Sequence, residues 1–215
     1  MQTSESFRLS ALLSISGGLQ DAYTYNIRGK VFANAQTGNV VLMSQNFMSG
    51  DFWLGVYYLC PLVAFALGVF VTERIENRFK QSGRLHWRQM ILMVEMVALA
   101  IVGFLPPEMN LLANALVSFS CAMQVQAFRK VHGYGYASTM CIGNLRSGTE
   151  SLSQYLRTKD REALRRALHF FGIILIFAVG AGLGGILSGV LGIHTIWISV
   201  AILLVVTLMM AKESI

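Results

Sequence analysis

Thr37-Gly38-Asn39 and Gly143-Asn144 are the residues of this sequence best suited to touch a small molecule. Each Gly-Asn pair opens a short stretch of helical character, and a helix start leaves its first backbone N–H groups unpaired and partly positive. Glycine permits close backbone approach, and threonine and asparagine side chains offer both donors and acceptors. Two such ends pointed at each other across a membrane midplane would bind an anion or a carbonyl-rich solute. Simple helix capping accounts for the same residue types. Arg146 follows Asn144 by two positions. A guanidinium at membrane depth marks either a solute pathway or a buried ion pair, here with Glu150 at i+4. Asp21 and Glu95 lie within apolar stretches. A partly desolvated carboxyl of this kind can take up protons and couple them to transport. For Asp21 the preferred role is to cap the link that carries Arg28 and Lys30. For Glu95 a structural role is preferred.

Other chemistries find less support. His86, His132, His169 and His194 stand at segment ends without an H-E-x-x-H or similar spacing. Cys60, Cys121 and Cys141 lie in apolar stretches without a CxxC pair, so they read as packing residues, not disulfides or metal ligands. No cofactor and no metal is expected. Ser147-Gly148 lacks a histidine base at comparable depth, so an intramembrane enzyme is not expected either.

The elements that must position these residues are helices in a bilayer. Apolar residues make up 54% of the chain and charged residues only 13%, too few to clothe a soluble domain. The net charge of +6 comes from Lys and Arg between apolar segments, as in cytoplasmic loops, so nucleic acid is not an expected partner. Arg8 followed by residues 9–15 imitates a signal peptide, but no A-x-A-like site follows and the first helix is expected to stay. Eight helical segments are predicted, at about residues 7–25, 35–48, 52–71, 89–105, 109–128, 138–156, 167–191 and 194–211.

Orientation follows from the basic stretches. Arg74, Arg78, Lys80, Arg84 and Arg88 form one, and Arg157, Lys159, Arg161, Arg165 and Arg166 form another. Both should face the cytoplasm. Segments two and six would then begin and end on the same side, so neither can cross. The second, about 14 residues long, reaches only ~21 Å, less than the ~30 Å hydrocarbon core. The expectation is an all-α membrane protein of about six transmembrane helices plus two re-entrant half-helices, with both termini cytoplasmic. The polar residues Gln20, Gln124, Gln126 and Asn114 should turn inward. Gly180, Gly184, Gly185 and Gly189 give two small-xxx-small spacings suited to tight packing, with a dimer contact as a second use. Trp53, Tyr57, Tyr58, Trp87 and Trp197 fit interfacial belts.

The halves repeat. Gly38-Asn39 recurs as Gly143-Asn144, an offset of 105, and the same offset brings Asp21-Ala22 onto Gln126-Ala127. The order full helix, half-helix, full helix, full helix recurs as well. Three crossings per half is an odd number, so the halves, about 7–105 and 109–211 of a single domain spanning 1–215, should be inverted, a recurring transporter plan.

Gly17-Gly18-Leu19-Gln20-Asp21-Ala22, then Val31-Phe32-Ala33-Asn34, then Thr37-Gly38-Asn39-Val40-Val41-Leu42 resembles the signature of the YoaK-type bacterial membrane proteins. The resemblance covers nearly the whole chain and implies a multi-pass protein of the bacterial inner membrane. It supplies no substrate, the family being a domain of unknown function. Ile142 departs from the pattern, since a threonine there would mirror Thr37. A looser architectural likeness, to the core of sulfate and uracil permeases, concerns the fold plan alone. Together these features point to a small secondary transporter working by alternating access on a small solute, an anion being favoured. Thr37, Gly38, Asn39, Gly143, Asn144 and Arg146 would bind, Asp21 or Glu95 would couple, and a homodimer fits so small a chain. The alternative is a non-transporting membrane scaffold or sensor.

Overall fold

The computed structural model describes residues 6–80, 86–131 and 134–211. Eight α-helices follow in chain order: α1 (Phe7–Ile27), α2 (Gln36–Met48), α3 (Phe52–Phe79), α4 (Trp87–Val102), α5 (Asn110–Ala127), α6 (Cys141–Thr158), α7 (Arg161–Leu191) and α8 (Ile196–Ala211). A two-stranded antiparallel hairpin, β1 (Lys130–Val131) and β2 (Tyr134–Gly135), joins α5 to α6. Arg84 and His132, named in the sequence reading, lie outside the described residues.

Helix starts divide into two kinds. Ser6, Asp51 and Asp160 accept from Leu9, Leu54 and Glu162 backbone N–H groups at the heads of α1, α3 and α7. His86 and Gln89 form a reciprocal capping box at α4. At α2 and α6, as at α5 behind Met109, the flanking residues, Ala35 and Met140, supply no side-chain cap. Both of these helices follow extended backbone. The first extended segment is reached through Gly29 and Lys30, whose φ values of 84° and 62° turn the chain sharply after α1.

Several expected boundaries move. α3 continues to Phe79 and α7 begins at Arg161, so Arg74, Arg78, Arg165 and Arg166 stand on helical turns and not in connecting loops. Arg, Lys and Glu are good helix formers, so a helix can run past the apolar segment that hydropathy detects. α4 ends at Val102, before the Pro106–Pro107 turn, and α6 starts at Cys141, because residues 136–140 stay extended or bent.

α1 packs chiefly on α7, and α5 on α3; α2 lies on α3, and α6 on α7. α4 leans on α5 and α8 on α1, while α4 and α8 also touch. The core between them holds Leu13, Leu92, Leu99, Val117, Met123 and Leu203, all fully buried. The outer faces of α3 and α7 carry Val63, Leu67, Phe70, Leu175, Val179 and Ile186 without cover. Two stretches, Phe52–Phe79 and Arg161–Ala211, are long and apolar enough to cross a membrane, with mean hydropathies of 2.2 and 2.4 and only 22% of each apolar window buried. Apolar helices left so bare suit a lipid solvent, not water.

Among the polar residues expected inside, Gln20, Asn114 and Gln124 are buried, whereas Gln126 is half-buried and donates to Glu73. Trp87 departs from the interfacial assignment. It is 5% exposed, part of the core, with the Arg88 guanidinium 5.2 Å from its ring. Beside it on the first turn of α4, Arg88 donates to the Ala127 carbonyl at the α5 terminus at 2.9 Å. Of the two glycine spacings on α7, Gly180 and Gly184 meet the α1 backbone, while Gly189 faces open space.

Candidate functional site

At the head of α2, Asn39 Nδ2 donates to the Phe32 carbonyl at 3.1 Å and to Gln36 Oε1 at 3.0 Å. At the head of α6, Asn144 Nδ2 donates to the Ala137 carbonyl at 2.7 Å, and the Ala137 N–H returns a bond to Asn144 Oδ1 at 3.3 Å. Each asparagine thus reaches back seven residues and staples the extended segment to the helix it precedes. Positions 32 and 137 differ by 105, as 39 and 144 do. The staples change the reading of these residues. Both asparagines are occupied by backbone and the Gly38 N–H donates to the Ala35 carbonyl at 3.2 Å, while both glycines face open space.

Space opens at each staple. A pocket of about 630 Å³ lies at α6, lined by Arg129, Lys130, Ile142, Gly143, Asn144 and Ser147 among others. A second, about 470 Å³, lies at α2, lined by Tyr25, Lys30, Thr37, Gly38, Asn39 and Tyr58 among others. They share no lining residue, so the two helix starts open onto separate pockets here. A Cβ added at Gly38 or Gly143 would meet nothing within 4 Å. A more polar recess of about 360 Å³ adjoins the α6 pocket through Gly135 and Ser147 and includes Tyr134, Glu150, Gln154 and Arg166. In it Tyr134 donates to Glu162, and this bond holds the phenol above its ordinary pKa. Arg146 is exposed, lines none of the three, and forms no ion pair with Glu150 among the described residues. The α6 pocket is basic through Arg129 and Lys130, the former also within 3.5 Å of Glu73 and 3.7 Å of Glu76.

Between the pockets the two extended segments meet against α1. Asn34 Nδ2 donates to the Gly17 carbonyl at 3.0 Å, and the Thr139 side chain packs on Gly17 so closely that a Cβ there would overlap it. Positions 34 and 139 are again 105 apart. Thr139 pairs with Cys121 Sγ at 3.3 Å, and Gln124 donates to Ser138 Oγ at 2.6 Å. Asp21 belongs to this seam. It accepts the Asn34 N–H at 3.0 Å, at the far end of the link that carries Arg28 and Lys30, and so ties that link to α1. The reason is geometric: the chain reversal at Gly29 and Lys30 returns residues 33 and 34 alongside α1, one turn from Asp21.

Arg28 is the residue that sequence reasoning missed. It is fully buried and donates to Tyr23 Oη (2.7 Å), Asn110 Oδ1 (3.2 Å) and the carbonyls of Val102 (2.7 Å), Leu105 (2.9 Å) and Pro106 (3.4 Å). Its own carbonyl accepts from Tyr57 and Asn114. The signal available was an arginine without a nearby acid, followed by a glycine turn. Glu95 is fully buried beside Gln20.

Bare apolar helices around a polar seam, with irregular backbone enclosed by protein, define a helical membrane protein. The chain belongs to the family described as protein of unknown function DUF1275, which matches residues 9–209. It is similar to the UPF0700 transmembrane protein YoaK of Bacillus subtilis (strain 168), 28% identical over 186 residues that cover 80% of each chain. No solved structure matches. The signature read around Asp21 and Thr37-Gly38-Asn39 therefore points to the right family.

Proposed function

We propose that the protein is a small secondary transporter of the bacterial inner membrane that moves a small anion by alternating access. In this reading α1–α4 and α5–α8 are inverted repeats, six helices cross, α2 and α6 are re-entrant, and both termini are cytoplasmic. The paired asparagine staple carries the reading. Two helix starts 105 residues apart are held by the same bond, each uncapped and each opening on its own pocket. Exchange of the halves also maps the α1–α7 packing onto α5–α3, and α2–α3 onto α6–α7. An anion fits because partly positive helix starts are joined by Lys30 in one pocket and by Arg129 and Lys130 in the other. Thr37 and Gly143 offer backbone to the solute, Gly38 leaves it room while its own N–H stays on the Ala35 carbonyl, Asn39 and Asn144 fix its frame, and Arg146 reaches the α6 start when the halves rock. The Gly17 seam separates the pockets in the conformation shown.

The test is anion flux into proteoliposomes, over a panel of inorganic anions and small carboxylates, with and without a pH gradient. Because Gly38 and Gly143 face open space, Gly38→Leu and Gly143→Leu should keep the melting temperature of the parent. Each should lower flux by about tenfold or more, equivalent to about 1.4 kcal/mol of lost binding. Flux unchanged by both substitutions would remove the site, and no flux of any anion would remove the transport reading.

A further inference from the structure

Two carboxyls lie in the interior, and the structure treats them differently. Asp21 accepts a backbone N–H from Asn34. Glu95, at 0% exposure, has neither carboxyl oxygen in a hydrogen bond of ordinary geometry. No ion pair among the described residues involves it. Its neighbours come from three helices. α1 brings Gln20 beside it, with Asp21 one residue further on. α5 brings Cys121 into the neighbourhood of both Glu95 and Asp21. α8, from Ile196 to Ala211, has no titratable residue, and its Ser199 donates to the Ser16 carbonyl at 3.5 Å. On α4 itself, Arg88 lies seven residues away and directs its guanidinium to the Ala127 carbonyl. Among the described residues no cationic group pairs with the Glu95 carboxyl.

We infer that Glu95, with Gln20 beside it, is an intramembrane proton-binding site, loaded in the conformation shown and emptied when the halves separate. An ionised carboxyl buried without a counter-charge, faced by the Gln20 amide alone, is a costly arrangement in this interior. A neutral carboxyl removes that conflict, and its O–H has an acceptor to hand. Gln20 Nε2 is held by Ser16 Oγ at 3.0 Å, which leaves Gln20 Oε1 buried and unpartnered. Unloading balances simply: the Glu95 O–H bond breaks, the proton passes to water admitted between α1 and α4, and the carboxylate remains. Rotation of the Gln20 amide then turns an N–H toward that carboxylate. Proton loss is thereby linked to parting of the helices, because only a wet Glu95 can stay ionised. The coupling of this step to solute rests on the transport reading above; the site itself does not.

The experiment uses the full chain in lipid nanodiscs, with glutamate carboxyls labelled with carbon-13, followed by infrared spectroscopy across a pH series. A labelled protonated-carboxyl band is expected at neutral pH, lost in Glu95→Gln, kept in Asp21→Asn and shifted in Gln20→Leu. Glu95→Gln should melt within a few degrees of the parent at neutral pH, since it copies the neutral form, so loss of the band cannot be laid to misfolding. Absence of the band at neutral pH, or its survival in Glu95→Gln, overturns the site. In proteoliposomes carrying a pH-sensitive dye, any anion uptake should lose its proton movement in Glu95→Gln. Proton-coupled uptake retained in that variant overturns the coupling. A Glu95-dependent band with no flux of any anion supports the site and sinks the transport reading alone.

Discussion

Arg28→Ala is expected to destabilise the protein by about 3–5 kcal/mol, the scale seen when a buried charge network is broken. The side chain fastens the α1–α2 link to the end of α4 and the turn into α5, through three carbonyls, an asparagine and a tyrosine. Removing it orphans several acceptors in a place where water enters with difficulty, at about 1–3 kcal/mol for each group left buried and unpaired. Lysine should rescue less than half of the loss. An ammonium offers a point charge and three donors, whereas this cage matches the planar fork of a guanidinium. Unfolding by titrated detergent, followed by tryptophan fluorescence, reads both variants. A detergent midpoint for Arg28→Ala indistinguishable from that of the parent would show that the cage does not hold the link in place.

The same residue shows where sequence legibility ends. Arg28 has the appearance of a loop cation because four of its five acceptors lie 74–82 residues away, and those four are backbone carbonyls or a neutral amide. Carbonyls exist at every position and leave no trace in residue type. Glycine and asparagine leave a strong one. Gly38-Asn39 and Gly143-Asn144 were readable as helix starts because their spacing repeats, yet the task of the asparagines was not. Which acceptor an amide finds depends on where the extended segments run, and Phe32 and Ala137 share nothing but position. Hydropathy located all eight helices and misplaced their polar ends, since Arg74 and Arg165 continue a helix without being apolar. Asp21 is legible as a cap on the link that carries Arg28 and Lys30, but the group it caps, the Asn34 amide, is set by the turn at Gly29.

Gly18→Val should separate α1 from α7 and cost about 3 kcal/mol, at the upper end of ordinary overpacking. A Cβ at Gly18 would overlap the Phe177 carbonyl oxygen and lie 2.8 Å from the Ala181 nitrogen, so backbone, not a pliable side chain, stands in the way. The contact is reciprocal, because Gly180 faces the Ile15 backbone and Gly184 lies against Leu19 with its Cβ position 2.8 Å from the Leu19 Cα. Close approach of this kind replaces the hydrophobic drive that lipid cannot supply between helices. The second spacing on α7 provides the control. Gly189→Val meets nothing within 4 Å and should change stability by less than about 0.5 kcal/mol. Because α1 also carries Gly17 and Asp21 of the central seam, the valine at position 18 should loosen the Asn34 contacts as well. Hydrogen exchange at the Asn34 amide would rise in Gly18→Val and stay at the parent rate in Gly189→Val. Equal exchange in both would mean that the α1–α7 packing does not brace the seam.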